Sequence, residues 1–308
     1  VQANDIMAVL EAAPHLVDGF DGRTRAFVQV QQGCDHRCTF CVIPFGRGNN
    51  RSVGLGAVTA HVRTLLDAGY REIVLTGVDL TSYGKDLPGR PTLGSMLKRL
   101  LKLIPDLERV RLSSIDPAEV DPDLEELVTG DARIMPHVHL SVQAGADLVL
   151  KRMKRRHLRA DVIRLTERLR AKRSEIAFGA DLITGFPTES DAHFADTLKL
   201  VDEAGLSFLH VFPYSPRPGT PAARMPQVDK AVRKARAAEL RAAGDAALAR
   251  LLGRLVGGEH AVLVERGGRG HTPHFAPIVI AGGAAGGAVV EVLAERHADG
   301  LLYGRVAA

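Results

Sequence analysis

Apolar and polar positions alternate along RAFVQVQQG (25–33), and strand-length apolar runs return in REIVLTGV, ERVRLSSI, HVHLSVQ, IAFGADLITGF and LSFLHVFPY. Between them the apolar residues fall at helical spacing, in GAVTAHVRTLLDAGY, LGSMLKRLLKLIPDL, DPDLEELV, DLVLKRMKRRHLRADVIRLTERLRAKR and SDAHFADTLKLVDEAG. Six strands, each joined to the next by a helix, require parallel pairing and right-handed crossovers. No strand is followed by a G-x-G-x-x-G fingerprint, so an α/β fold of the open, partial (β/α)6 barrel type fits better than a dinucleotide-binding sheet. The pattern then changes. VDKAVRKARAAELRAAGDAALARLLG predicts one long helix packed on the barrel, and from about residue 256 short strand-like runs between Gly-rich turns predict a small antiparallel β-barrel. The expected units are a linker or tail over 1–24, the partial barrel over 25–228, a connecting helix over 229–254 and the small barrel over 255–308.

Composition narrows the class without naming it. With 308 residues, 45% hydrophobic and 25% charged, the chain is that of an ordinary globular protein. It has no uninterrupted apolar window of membrane-spanning length, and the acidic start VQANDIMAVLEAAPHLVDGF is neither a secretory signal nor a transit peptide, so the cytoplasm is the expected compartment. Net charge is only +4, but residues 151–173 hold eleven Lys and Arg against Asp161 and Glu167, and 230–254 is basic again. Such runs permit a polyanionic partner; a solvated helix face explains them equally well. Trp is absent and aromatics are 5%, which argues against a broad stacking surface for single strands.

Cysteine carries the chemistry. All three lie in GCDHRCTFC, as Cys34, Cys38 and Cys41, directly after the first strand. An odd, crowded set argues against a disulfide framework and for a metal or iron–sulfur centre on a strand-end loop. A structural zinc site wants four protein ligands; no second Cys pair exists, and His36 is a poor fourth. Three thiolates on a four-iron cluster leave one iron open, which is a catalytic arrangement.

The spacing C-x3-C-x2-C, with Phe40 before the last Cys, resembles the signature of the radical S-adenosylmethionine superfamily. The resemblance implies a [4Fe-4S] cluster on Cys34, Cys38 and Cys41, S-adenosyl-L-methionine chelated at the open iron, cleavage to a 5′-deoxyadenosyl radical, and Phe40 packed near the adenine. Further stretches, QQGCDHRCTFCVIPFGRGNNRS, RLSSIDP, LSVQAGADLVLKRMKRR, DLITGFPTES and LHVFPYSPRPGTPAA, resemble the methylthiotransferase branch, over roughly 25–225. Within it, RLSSIDP and the HVFPYSPRPGTPAARM lip are most like the enzymes that put a methylthio group on C2 of N6-threonylcarbamoyladenosine beside the tRNA anticodon. The isopentenyladenosine tRNA enzymes and those acting on a ribosomal-protein side chain are the alternatives.

Each strand end supplies a candidate residue with a plainer reading beside it. In LTGVDLTSYG, Gly77, Val78 and Asp79 occupy the position that contacts the methionine amino group in the superfamily, mainly through backbone here; Gly77 equally suits a turn. Ser114, beside Ser113, is a strand-end hydroxyl or simply helix-entry chemistry. Gln143 is a cofactor contact or a buried structural amide. Asp181 and Gly185 lie beside the adenine-contact position, and Arg155 fits the family's M-x-R, which implies a cofactor carboxylate contact. Helical spacing puts Arg152 with Arg155 on one face and Lys151, Lys154 with Arg155 on another; Lys151 and Lys154 are expected to meet RNA phosphate. The Pro- and Gly-rich lip places Tyr214 and Arg217 toward the substrate, with Arg217 the expected partner of a carboxylate.

Methylthiotransferases carry a further N-terminal domain with three more cysteines and a second cluster. Nothing like it is present here, so the chain is expected to be either a piece of a longer protein or a relative that has lost this domain. By the same resemblance the terminal barrel is TRAM-like, a module that grips tRNA, with Arg266, Arg269 and His271 in a mobile turn suited to phosphate. The expected partners are tRNA and an electron donor such as flavodoxin or ferredoxin, with no membrane.

Overall fold

The computed structural model describes residues 6–9 and 24–307. The expected linker lies outside the described residues except for 6–9 and Thr24, and Ile6–Ala8 forms one 3-10 turn. The first part of the chain runs β1 (Arg25–Gln32), α1 (Ile43–Arg47), β2 (Arg51–Ser52), α2 (Leu55–Asp67), β3 (Glu72–Gly77), α3 (Leu93–Leu103) and β4 (Arg109–Leu112). It continues through α4 (Pro122–Gly130), β5 (His137–Gln143), α5 (Asp147–Met153), α6 (Arg159–Lys172), β6 (Ala177–Thr184), α7 (Asp191–Glu203) and β7 (Leu206–Pro213). Strands β1, β3 and β4 pair in parallel, as do β5, β6 and β7. Among the described residues the backbone pairing between the two halves, across β4 and β5, is limited to isolated bridges, Val110 to Ile134 and Ile115 to Leu140. β2 adds an antiparallel edge to β1; at two residues it is too short for any periodicity to reveal.

The helices cover this wall with the faces their spacing predicts. In α3, Leu93, Met96, Leu97, Leu100 and Leu101 are buried, and the Thr92 hydroxyl caps the start by accepting from the Ser95 amide. Each such side chain contributes roughly 1.5–3 kcal/mol of burial, the reason the helix holds its register.

The continuous helix expected over 147–173 is instead two. Lys154 adopts a left-handed conformation (φ 59°) at the end of α5, and α6 begins at Arg159. The intervening groups find partners outside any helix. Arg155 reaches Asp116 and the Ser141 carbonyl, buried His157 bonds the Val142 carbonyl, and Asp161 accepts from the Leu158 amide. The face assignments drawn from continuous helical spacing therefore fail: Arg152 turns to Thr188 while Arg155 turns to Asp116.

Helix α8 (Lys230–Leu255) begins on Asp229, whose carboxylate accepts from the Ala231 and Val232 amides. It lies against β7 so closely that a Cβ on Gly244 would crowd Leu209. It leads into β8 (Glu259–Val264), β9 (Arg269–His271), β10 (Pro277–Ala281), β11 (Val289–Ala298) and β12 (Leu301–Val306), which close into a five-stranded barrel. Four pairings are antiparallel and one, β10 with β12, is parallel. His271 is not in a mobile turn: it sits in β9, paired on both sides, and bonds the Glu265 carboxylate at 3.2 Å.

Charge joins the two units. Glu72 is fully buried and holds Arg109 at 2.9 Å and Arg111 at 2.8 Å. Those arginines reach across the seam, Arg109 to the Ala261 carbonyl and Arg111 to the Thr272 and Pro273 carbonyls. Burial opposes ionisation of Glu72, yet the two guanidinium groups outweigh it and hold its pKa below the usual carboxylate range. Phe275 completes the seam, stacked on His137 from β5 and on His271.

Candidate active site

The three cysteines sit where β1 runs out. Gly33 turns the chain at φ 73°, and a Cβ there would overlap the Asn49 carbonyl oxygen, so only glycine fits. The preceding Gln31 is wholly buried. Its amide nitrogen donates to the Gly33 carbonyl at 2.8 Å and to Asn50 Oδ1 at 2.7 Å, while its oxygen accepts from the Asp79 amide at 2.8 Å. One side chain thus ties the entry of the cysteine loop to the end of β3. The middle of the loop is fixed by Thr39, whose amide donates to the Met153 carbonyl and whose hydroxyl donates to that of Arg152. The Thr39 carbonyl in turn accepts from Ala222 on the lip.

Cys34, Cys38 and Cys41 are partly exposed and form no disulfide. Cys34 Sγ lies 3.6 Å from Asp79 Oδ2, and Arg155 Nη1 stands 3.8 Å from Cys38 Sγ. Burial, followed by the Asp79 charge, pushes the Cys34 thiol up to about 12; burial also raises Cys41, and the charge of Cys38 raises both.

A belt of ion pairs backs the loop. Asp79 holds His36 at 2.8 Å and the Ser82 hydroxyl at 2.6 Å, so its side chain is spent within the protein and its backbone is what remains to face the loop. Asp116 binds Arg155 at 2.8 Å and Arg156 at 3.3 Å, and Glu119 binds Arg156 at 2.6 Å and also Lys85. The carboxylates of Asp79 and then Glu119, accepting from the His36 ring, raise it to about 9.

Beside the loop opens a cavity of about 340 Å³, lined by Phe40, Gln143, Asp181, Ile183, Tyr214 and Arg217 among others. Five of these are candidates named from sequence, drawn from the cysteine loop, β5, β6 and the lip. Gln143 takes a positive φ of 75°, an uncommon conformation for a residue other than glycine and one found at ligand sites. Asp181 Oδ1 bonds His139 Nε2 and His210 Nδ1, each at 3.1 Å, and its other oxygen accepts from Ser114 at 3.4 Å. Burial opposes its ionisation, but the two imidazoles outweigh this and hold the carboxyl well below the usual range; Asp181 raises His210 in return. Gly179 makes the cluster possible, because a Cβ there would overlap the His139 ring.

The remaining candidates fall elsewhere. Gly77 faces Gln31, leaving no room for a side chain. Val78 is exposed. Gly185 donates to Glu189 and lies under Arg233 of α8, a structural position. Lys151 and Lys154 are exposed on either side of the end of α5.

Sequence reasoning missed Gln31, Asp116, Glu119, His139 and His210. A signal did exist for His139: in HVHLSVQ, residues 137, 139, 141 and 143 form a polar stripe at strand period, a polar inner face.

The Radical SAM superfamily model matches residues 28–201. The chain belongs to the radical SAM superfamily. Among curated relatives of this superfamily member is the threonylcarbamoyladenosine tRNA methylthiotransferase MtaB of Rickettsia prowazekii, 55% identical over 278 residues, covering 90% of this chain and 66% of the relative. The tRNA-2-methylthio-N(6)-dimethylallyladenosine synthase of Erythrobacter litoralis is 41% identical over 87% of this chain and 62% of its own length. The chain thus spans less than two thirds of each of these relatives. Among solved structures, the radical S-adenosylmethionine methyltransferase TsrM of Kitasatospora setae matches with TM-score 0.52 at 17% identity, over 65% of this chain and 38% of that one, a likeness of fold. The radical SAM barrel expected from sequence is thereby established, and no described helix is long and apolar enough to cross a membrane.

Proposed function

We propose that this chain is the catalytic part of a tRNA methylthiotransferase that adds a methylthio group to C2 of N6-threonylcarbamoyladenosine. The observation that carries the reading is the 55% identity to the Rickettsia enzyme over nine tenths of the chain. The site supports it. The threonylcarbamoyl group is anionic, and the cavity wall offers the cation of Arg217; Asp181 on that wall has its own charge taken up by His139 and His210 behind it. That feature favours this substrate over dimethylallyladenosine, which carries no anionic group.

The donor set suits the superfamily's two cofactors. Three thiols on one rigid loop, none spent in a disulfide, match a [4Fe-4S] cluster with one open iron, and the adjoining cavity suits S-adenosylmethionine. Bound together, they supply a carbon radical able to functionalise an unactivated aromatic carbon, which no acid or base in the cavity can do. The protein's own residues bind and orient. Cys34, Cys38 and Cys41 hold the metal, and Phe40 forms the apolar wall. Gln143, Ser114 and Asp181 present hydrogen-bonding groups; Arg155, seated on Asp116, meets a carboxylate beside Cys38. Gly77, Val78 and Asp79 border this space with backbone, and Gly185 acts through the shape of its loop. Tyr214 and Arg217 of the lip meet the substrate base, which is cheap to extrude from a single-stranded loop.

Lys151 and Lys154 carry RNA phosphate, the unit over 255–308 grips tRNA, and the exposed apolar pair Ile43 and Phe45 just past the cysteines suits a flavodoxin- or ferredoxin-type electron donor. The division at 25–228, 229–254 and 255–308, with 1–24 as linker, belongs to the same reading, as does a cytoplasmic location.

Mass spectrometry of tRNA nucleosides from a strain lacking the gene tests it. The expected result is loss of the methylthio form with the threonylcarbamoyl precursor retained. Undiminished methylthio-threonylcarbamoyladenosine overturns the assignment.

A further inference from the structure

The two basic stretches of the sequence, far apart along the chain, meet at a place the reaction does not use. A cleft of about 560 Å³ opens at the N-terminal ends of β6 and β7, away from the cysteine loop, between α6, α8 and the terminal barrel. Arg170 from the last turn of α6 and Arg250 and Arg254 from the last turns of α8 line it, with His274 of the terminal barrel. Helix dipoles account for basic residues at these ends but not for their convergence on one cleft.

The acids lining the cleft are already paired, and Glu167, one turn before Arg170, acts on it only at a distance. Asp202 is taken by Arg250 and Glu175 by Arg173. Among the described residues neither Arg170 nor Arg254 has an ion-pair partner; Arg170 has the Ala204 carbonyl and the face of Phe178. Burial and then the charge of Arg254 lower the pKa of Arg170, the mark of two cations held together. His274 is 8% exposed, and neither ring nitrogen has a hydrogen-bond partner. A buried imidazole with donor and acceptor both idle calls for a polar occupant.

We propose that this cleft is a phosphate-binding site, in which Arg170 and Arg254 take the charge and His274 a phosphate oxygen. The proposal does not rest on the reaction assigned above. The phosphate comes from an RNA backbone or from a free phosphorylated metabolite, and the shared chemistry is a tetrahedral oxyanion bridging the catalytic and terminal units.

The test titrates the full chain with inorganic pyrophosphate at constant ionic strength, following thermal stability and the His274 ring nitrogens by NMR. Saturable stabilisation is expected, with a shift at His274. The exposed Arg254→Ala variant should weaken it about tenfold, as befits loss of one charge-assisted hydrogen-bonding partner. Arg170→Lys should weaken it as well, and Arg254→Ala suffices if that variant does not fold. No stabilisation, or an equal response from wild type and Arg254→Ala, overturns the proposal. Weaker tRNA binding by Arg254→Ala assigns the phosphate to RNA; unchanged tRNA binding with pyrophosphate affinity lost assigns it to a metabolite.

Discussion

Arg155 stands 3.8 Å from the sulfur of Cys38 while its other terminal nitrogen is anchored on Asp116 at 2.8 Å. The guanidinium cannot swing away without abandoning a buried carboxylate, so the cation is fixed beside the thiol before any ligand arrives. Two kinds of substitution should therefore separate. Each of Cys34→Ala, Cys38→Ala and Cys41→Ala should abolish visible absorbance after anaerobic reconstitution with iron and sulfide. Arg155→Gln should keep that absorbance but bind S-adenosylmethionine at least tenfold more weakly, the loss of a charge-assisted contact. A cysteine variant that retains both absorbance and turnover removes that residue from the ligand set.

The Asp181 cluster should leave a pH signature. Asp181 has a depressed folded pKa, so its contribution is present above the ordinary Asp value of about 4 and lost as pH falls through the folded value. His210 has a raised one, so its contribution is present below about 6.5 and lost as pH rises through the folded value. The pair stabilises most between the two. Asp181→Asn should lower the urea midpoint in that window, flatten its fall on the acid and alkaline sides, and return the His210 titration toward ordinary by NMR. A His210 midpoint unchanged by the substitution contradicts the coupling.

Gly179→Ala tests the room left for His139. The added methyl meets the imidazole and lies 3.0 Å from the Phe208 carbonyl oxygen. Overpacking of this kind costs roughly 1–3 kcal/mol, read as a lower urea midpoint with an unchanged slope.

Arg217 is exposed at the lip and should act on recognition alone. In an active methylthiotransferase carrying this chain, Arg217→Ala should lose the preference for tRNA bearing the threonylcarbamoyl group while cofactor cleavage continues. Undiminished preference for the modified tRNA removes Arg217 from that role.

Lys151→Ala with Lys154→Gly should weaken tRNA binding and lower its salt slope by about 1–2, one increment per phosphate lost. Glycine at 154 suits the positive φ, so stability should not fall. An unchanged slope moves the RNA path elsewhere.

What was legible in the sequence followed from periodicity and from rare residues. Strand β5 reads directly from HVHLSVQ, and three cysteines in one loop carry their own meaning. The break after Met153 was hidden, because Lys154 has no sequence mark of a left-handed residue; the helix stops because Arg155 and His157 find better partners in Asp116 and Val142. Gln31 and Glu119 were hidden for a related reason. Their work depends on groups 19 to 48 residues away, brought near only by the crossovers.

The latch at Glu72 bears on how this protein can be cut. Arg109 and Arg111 are held at one end by a wholly buried carboxylate and at the other by main-chain carbonyls of the terminal barrel. Deleting that barrel would not release an intact catalytic half. It would take the main-chain acceptors from Arg109 and Arg111 and open to water a charge cluster and an apolar face that the intact protein buries. Protease nicking near residue 256 should therefore yield fragments that stay associated, and a gene truncated there should yield insoluble product.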